Sequence, residues 1–238
     1  MFELTGAKTP LVLIPGLLCD ALLWAHQIGA LSDVADCWVP NPIGVASIRD
    51  MAATVLETSP FEKFALAGLS MGGYVALEIM RQAPSRVRKL ALLDTSARPD
   101  SLEQTRRRHA LVEVARGGKF TEVVRLLLPA LVNRDKSCDP EIVGTVWAMA
   151  RNVGQEAFYR QETAIIGRID SRPHLGAIDC PTVIICGRQD AVTPPEVHEE
   201  LAQGIRGANL SIIEDCGHLS TMEQPEEVSA ALRSWLAI

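Results

Sequence analysis

The sequence of 238 residues lacks a surplus of positive charge. Its 23 lysines and arginines are outnumbered by 29 aspartates and glutamates, which gives a formal net charge of -6. Domains that bind nucleic acid usually present a basic face, so this balance argues against a nucleic-acid partner. The one dense basic run is Arg106-Arg107-Arg108, and we interpret it as the solvated face of a helix.

Long apolar runs and targeting signals are also missing. No stretch approaches the roughly 20 apolar residues that a membrane-spanning helix needs. The first residues lack the basic region, apolar core and cleavage site of a secretory signal. We therefore expect a cytoplasmic protein that does not bind membranes.

Motifs for metals and cofactors are absent as well. None of the six cysteines is paired as C-x-x-C, so zinc and thioredoxin-like redox sites are not indicated. In a reducing compartment we expect these cysteines to be small buried apolar residues. The chain has no Walker loop and no H-E-x-x-H motif, and we therefore predict neither a cofactor nor a metal.

What the sequence does contain is an alternation of short apolar runs with helical patterns. This alternation is typical of a parallel sheet that is covered by helices on both faces. The expected fold class is therefore α/β with a mostly parallel central sheet. The predicted strands lie at 11–14, 37–39, 64–67, 90–93, 182–186 and 210–213. The predicted helices between and after them lie at 22–31, 48–58, 71–82, 195–203 and 225–236.

The alternation stops between Ala97 and Ser171, where helical segments replace it. Glycines and prolines such as Pro129 separate these segments. We therefore expect residues 1–96 and 172–238 to form the α/β core, and residues 97–171 to form a helical insertion. The predicted helices of the insertion lie at 102–116, 120–128, 141–152 and 155–169.

The sharpest local signal is Gly-Leu-Ser-Met-Gly at 68–72, which Gly73 follows. G-x-S-x-G by itself is common, but here it follows a predicted buried strand and begins a predicted helix, as a nucleophile elbow requires. Small residues beside Ser70 let backbone segments approach closely, and the helix N-terminus would stabilise negative charge formed on attack. Ser70 is therefore the candidate nucleophile. The alternative is a glycine-rich turn with an incidental serine.

A serine nucleophile needs a base, and the base needs a carboxylate that orients it. Of the five histidines, His218 lies on the loop between the last predicted strand and the last helix, where functional sites of α/β sheets gather. Asp190 and Asp94 compete as the acid, because each follows a predicted strand and each keeps the chain order serine, acid, histidine. We favour Asp190. If Asp190 is not the acid, its role would be to cap the helix that begins near Pro194. If Asp94 is not the acid, its role would be a hydrogen bond to the backbone of a turn.

Two backbone N–H groups must hold the oxyanion of such a reaction. One expected donor is the amide of Met71, the residue after the candidate nucleophile. The other is the amide of Leu17, in the Pro-Gly-Leu-Leu loop at 15–18. The alternative is that this loop is an ordinary turn before a helix.

Together, the turn at 15–17, the elbow at 68–73, the segment at 187–194 and the loop at 217–218 resemble the α/β-hydrolase fold family. The resemblance covers nearly all the chain, in the right order, and is greatest to small capped carboxylesterases, lactonases and C–C hydrolases. It implies that the insertion is a cap domain. Many relatives carry histidine where this chain has Pro15. Because only nine residues precede Pro10, the family's opening strand pair must be short or missing, and six or seven strands are expected.

The function that these features favour is hydrolysis of a small-molecule carboxylic ester, thioester or lactone through an acyl-enzyme. The alternatives are C–C bond hydrolysis or lyase chemistry on the same triad, because one fold supports many reactions, and a non-enzymatic receptor with the same pocket. The pocket should lie between core and cap, and the cap should affect selectivity more than chemistry. The candidate residues that line the pocket are Leu127, Trp147 and Phe158, and Leu126 and Leu128 are further candidates. The acyl group, the alcohol group and the oligomeric state stay open.

Overall fold

The computed structural model describes residues 8–238. Within them, six strands form one sheet: β1 Thr9–Ile14, β2 Ala35–Trp38, β3 Phe64–Leu69, β4 Val87–Leu93, β5 Thr182–Gly187 and β6 Asn209–Ile213. Their spatial order is β2-β1-β3-β4-β5-β6, and each neighbouring pair is parallel. The predicted α/β fold with a parallel sheet is therefore confirmed. The prediction about the opening strand pair lies largely in residues 1–7, outside the described residues.

Helices cover both faces of the sheet. They are α1 Ala25–Ala30, α2 Ile48–Thr58, α3 Met71–Gln82, α4 Leu102–Arg116, α5 Phe120–Leu131, α6 Pro140–Val153, α7 Gln155–Ile166, α8 Pro195–Gly204, α9 Ser220–Glu223 and α10 Pro225–Ala237. Neighbouring side chains along a strand point to opposite faces. Leu11 and Leu13 therefore pack into one apolar cluster, with α1, α10 and the insertion, and Val12 and Ile14 pack into a second cluster, with α2, α3 and α8.

The helices α4 to α7 lie between β4 and β5, in the segment predicted as a helical insertion. The two ends of this segment meet, since the Ser171 N–H donates to the Ala97 carbonyl at 2.8 Å. The prediction that Pro129 ends a helix was wrong, because α5 continues to Leu131. A proline within a helix lacks an N–H donor and crowds the preceding turn, but the N–H of Val132 still bonds to the Leu128 carbonyl at 3.3 Å and closes the last turn of α5.

The helix α7 is shorter than predicted and ends at Ile166, with the N–H of Gly167 bonded to the Thr163 carbonyl at 3.1 Å. None of the helices found in residues 8–238 combines the length and the apolar character that crossing a bilayer requires.

Candidate active site

Ser70 lies in the turn between β3 and α3, with φ +55° and ψ -115°. A positive φ is costly for a residue with a Cβ atom and must be held by its surroundings. The Ser70 N–H donates to the Leu93 carbonyl at 3.0 Å, and the Ser70 carbonyl accepts from the Thr95 hydroxyl at 2.8 Å. Close backbone approach adds to these bonds, because a Cβ atom at Gly68 would overlap the carbonyl of Gly72. The predicted sharp turn is therefore present.

The structure brings the three predicted triad side chains into one hydrogen-bonded chain. His218 Nε2 lies 2.8 Å from Ser70 Oγ, and His218 Nδ1 lies 2.8 Å from Asp190 Oδ2. The imidazole of His218 is buried. This network fixes the neutral tautomer in which Nδ1–H donates to Asp190 and Nε2 accepts from the serine hydroxyl.

Asp190 is held by the turn that precedes α8. Its Oδ1 accepts from the N–H groups of Val192 and Thr193 at 2.8 and 2.9 Å, and its Oδ2 accepts from the Thr193 hydroxyl at 2.8 Å. Asp190 therefore orders the turn before Pro194, but it does not cap α8, whose N-terminus has no side-chain cap.

The pKa values of this pair shift in opposite directions. Burial alone would raise the pKa of Asp190, but the charge and hydrogen bond of His218 and the bonds from Thr193 outweigh it and lower that pKa. Burial alone would lower the pKa of His218, but the charge and hydrogen bond of Asp190 outweigh it and raise that pKa above the ordinary value. The carboxylate therefore stays ionised and favours a protonated imidazole.

Asp94, the competing acid, bonds elsewhere. It directly follows β4 at φ +44°, and its Oδ1 accepts from the Gly187 N–H at 3.1 Å. Its Oδ2 lies 3.2 Å from the N atom and 2.5 Å from the Oγ atom of Ser220. Burial and the charge of Asp190 raise the pKa of Asp94 to about 8. This carboxyl group thus joins the end of β5 to the start of α9.

His198 is a second buried histidine near the site. Its Nε2 accepts from the Thr95 N–H at 2.8 Å, and its Nδ1 lies 3.3 Å from the Pro194 carbonyl. Burial lowers the pKa of His198 to about 4, so the neutral ring bridges two loops. His198 therefore has a structural role beside the site.

The two predicted oxyanion donors lie on either side of the serine. Met71 is the first residue of α3, so its N–H has no intrahelical partner. The loop of Leu17 lies against the elbow, because a Cβ atom at Gly16 would be 3.4 Å from the Ser70 Cβ. Leu17 and Met71 donate no backbone hydrogen bond to any other residue in 8–238.

The insertion holds the loop of Leu17 and Leu18 by one buried hydrogen bond that the sequence did not reveal. The N–H of Leu18, at φ +57°, donates to Gln161 Oε1 on α7 at 3.0 Å. Gln161 is buried and lies 143 positions from Leu18 along the chain. A polar residue on an amphipathic helix gives no signal of such a contact.

A second contact joins the insertion to the loop of His218. The carboxylate of Glu223 accepts from the N–H groups of Asn133, Gly217 and Leu219 at 2.8, 3.0 and 3.1 Å. The His218 N–H donates to the Leu131 carbonyl at 3.2 Å. The end of α5 and the histidine loop are therefore fixed to each other, and no sequence pattern predicted either bond.

A cavity lies over Ser70 and His218, between the sheet and the insertion. Its apolar wall includes Leu17, Leu111, Leu127, Leu131, Val146 and Met149. Leu127 thus lies at the wall, as predicted. On α5 and α6, the lining residues follow helical spacing, because positions three and four apart share a face.

Trp147 and Phe158 do not line this cavity, so these two assignments were wrong. Phe158 is fully buried and packs against Phe120 at a ring distance of 5.8 Å. Trp147 packs on the apolar cluster beside the sheet, one position away from the α6 face that carries Val146. Apolar residues of a helix that is buried on two sides cannot be assigned to one side by hydrophobicity alone.

The other two candidates, Leu126 and Leu128, also lie off the wall. Among residues 8–238, no group of three or more histidine, cysteine, aspartate or glutamate side chains is placed to hold a metal ion.

Ser70, His218 and Asp190 thus form a serine–histidine–aspartate site at the carboxyl edge of a parallel sheet. A sequence profile described as the alpha/beta hydrolase fold matches residues 9–225. The chain belongs to the α/β-hydrolase fold family.

Individual relatives span almost the whole chain. An esterase structure from Thermogutta terrifontis is 32% identical, with a TM-score of 0.88, over 98% of this chain and 91% of that one. The enol-lactonase structure from Burkholderia xenovorans is 24% identical, with a TM-score of 0.87, over 99% and 94% of the two chains. A protein of Serratia proteamaculans, provisionally named the carbamate hydrolase RutD, is 28% identical over 99% and 95% of the two chains.

Proposed function

We propose that this chain is a serine hydrolase that cleaves a small carboxylic ester, thioester or lactone through an acyl-enzyme. The observation that carries the proposal is the continuous hydrogen-bonded chain from Ser70 Oγ through His218 to Asp190, with 2.8 Å at each step. It lies at the floor of a mostly apolar cavity. The similarity to an esterase at 32% identity supports the choice of carboxylic esters.

Each group has a defined part in the proposed reaction. Ser70 Oγ attacks the carbonyl carbon while its proton moves to His218 Nε2. The negative oxygen is held by the amides of Leu17 and Met71. The leaving alcohol or thiol takes the proton from His218, and the acyl group stays on Ser70.

Water completes the cycle. It attacks the acyl carbonyl and gives a proton to His218, which returns it to Ser70 as the carboxylic acid leaves. Through both steps the ionised Asp190 stabilises the imidazolium and keeps Nδ1–H in place. We also propose that residues 97–171 act as a cap, because their side chains form the wall of the cavity opposite Ser70.

The test is a pre-steady-state assay with a chromogenic short-chain ester. We expect one equivalent of alcohol to be released in a burst, and an acyl adduct on the peptide that carries Ser70 by mass spectrometry. Ser70→Ala should abolish both and lower turnover by several orders of magnitude.

Ser32→Ala, at an exposed serine, is the matched control and should behave as wild type. Near-normal turnover by Ser70→Ala would reject Ser70 as the nucleophile. Binding of the ester without release of alcohol by the wild type would favour the receptor alternative.

A further inference from the structure

One face of α4 turns toward the cavity. Gln104, Arg107, Arg108 and Leu111 all line it, and their spacing of three, four and seven positions places them on one helix face. Arg106, between them in sequence, does not line it. The basic run was predicted to be a solvated helix face, which agrees with the exposed Arg106 and Arg107 but was wrong for the partly buried Arg108.

The charge of Arg108 is already compensated inside the protein. Its guanidinium lies 2.7 Å from Asp100 Oδ2 and 3.0 Å from Glu162 Oε2, and its side chain is only 18% exposed. These two carboxylates come from the start and the end of the insertion. Arg108 is therefore a structural residue, which joins α4 to α7.

Arg107 differs from Arg108 in exposure and in partners. It is an exposed residue, which places it at the solvent end of the cavity wall. No carboxylate of residues 8–238 pairs with its guanidinium within 4.0 Å. The lining of the cavity contains no aspartate or glutamate from the described part of the chain. Arg107 therefore brings an uncompensated positive charge to a mostly apolar cavity.

Gln104 adds a donor beside this charge. Its Oε1 accepts from the Ser101 N–H at 2.8 Å, which leaves the amide nitrogen as the group that can donate to a ligand. A planar guanidinium pairs with a carboxylate through two parallel N–H bonds. In a protein of net charge -6, an anionic ligand needs such a local cation to overcome general repulsion.

We propose that the substrate carries a carboxylate at the end remote from the scissile carbonyl, and that Arg107, assisted by Gln104, binds it. The substrate class is then a half-ester of a dicarboxylic acid, or a lactone with a carboxylate side arm. The proposal rests on the proposed function, since it assigns a specificity group to the same site.

The experiment compares matched ester pairs. Monomethyl esters of linear dicarboxylic acids of increasing length are assayed beside methyl esters of monocarboxylic acids with the same number of chain atoms. The wild type should prefer the half-ester by about tenfold or more in kcat/KM at one chain length, as expected for a charge-assisted hydrogen bond. Added salt should reduce this preference, because exposed charges are screened.

Arg107→Gln should reduce the preference to near one, chiefly by raising KM for the half-ester. Arg106→Gln is the matched control and should keep the preference. Because Arg107 makes no ion pair within residues 8–238, the variant should melt like the wild type. An unchanged preference in Arg107→Gln, or a wild type that does not discriminate, overturns the proposal.

A binding assay separates this result from failure of the proposed function. Ser70→Ala protein should bind a monomethyl dicarboxylate more tightly than the neutral ester, and the double variant with Arg107→Gln should lose this difference. If the wild type cleaves neutral esters without preferring the half-ester, only the Arg107 assignment fails. If the wild type cleaves no ester, the proposed function fails. If, in addition, the Ser70→Ala protein binds both esters equally well, the anion site is rejected too.

Discussion

The two sides of the candidate site are held by different kinds of interaction. On the sheet side, buried polar groups are held by hydrogen bonds: His218 lies 2.8 Å from Asp190, and Asp94 lies 2.5 Å from the Ser220 hydroxyl. On the insertion side, the wall is mostly apolar, and its contacts have no preferred direction. Directional bonds fix atoms for a reaction, whereas apolar contacts select a substrate by shape.

The division is not complete, because the insertion also reaches the reacting groups. Gln161 holds the loop of Leu17 and Leu18, which carries one of the proposed oxyanion donors, and the end of α5 is bonded to the histidine loop through Leu131 and Asn133. The expectation that the cap affects selectivity more than chemistry therefore needs a qualification. Its side chains line the cavity, while a few of its polar groups hold the loops that carry the chemistry.

The sharpest test of the sheet side is a comparison of its two buried acids. We expect Asp190→Asn to lower turnover by about four orders of magnitude, because it removes the charge that holds the imidazole in its working tautomer. Asp94→Asn should cost less than about tenfold, since the raised pKa of Asp94 leaves its carboxyl largely neutral at pH 7. The measurement is kcat on one ester, with thermal melts as the check on folding.

The reverse outcome has a clear meaning. If Asp94→Asn is inactive while Asp190→Asn is nearly normal and both are folded, Asp94 is the acid. The hydrogen bond between His218 and Asp190 would then be structural, and the assignments of Ser70 and His218 would stand.

The pH dependence tests the same pair without altering the wild-type protein. Only neutral His218 can accept the serine proton, so kcat/KM should fall about tenfold per unit of pH below its pKa. Because that pKa is raised, the acid limb should lie above the ordinary histidine value of about 6.5. In Asp190→Asn the residual activity should have its limb at lower pH. A rate that stays flat to about pH 4 would exclude a histidine base.

The contrast between the two sides also explains how far the sequence alone could lead. The strands and the residues Ser70, Asp190 and His218 were predictable because each depends on a local pattern at the end of an apolar run. The roles of Gln161 and Glu223 were not predictable, because each residue bonds to backbone that is distant in the sequence. Gln161 bonds to a residue 143 positions away, and Glu223 to one 90 positions away. Trp147 and Phe158 were assigned wrongly, because hydrophobicity does not distinguish a cavity wall from the interior behind it.

Gln161 tests whether polar groups of the insertion contribute to the chemistry by holding a loop of the site. Gln161→Leu leaves the buried Leu18 N–H without its acceptor, which should lower the free energy of unfolding by about 1–3 kcal/mol. If the bond also positions Leu17, kcat on a neutral ester should fall about tenfold with little change in KM, a partial loss of what a full oxyanion donor contributes.

Gln155→Leu, on the same helix and away from the cavity lining, is the control and should keep the wild-type kcat. A Gln161→Leu protein that is less stable but has normal kcat would show that Gln161 supports only the fold.

The smallest expected effect belongs to the apolar wall. Leu127→Ala removes part of a side chain that lines the cavity and so makes room for a longer substrate. Esters with longer acyl chains should therefore gain several-fold in kcat/KM relative to acetyl esters. This magnitude is expected because one methylene group in a pocket changes binding by about 1–3 kcal/mol. The rate with the shortest ester should stay within about twofold, because no hydrogen bond of the triad involves Leu127.

Leu126→Ala is the matched control, on the same helix but 47% exposed and outside the lining. Equal shifts in both variants would mean that α5 acts through helix stability and not as a wall. A silent Leu127→Ala would move the acyl site away from α5, and the comparison would then show a substrate held mainly by the sheet side of the cavity.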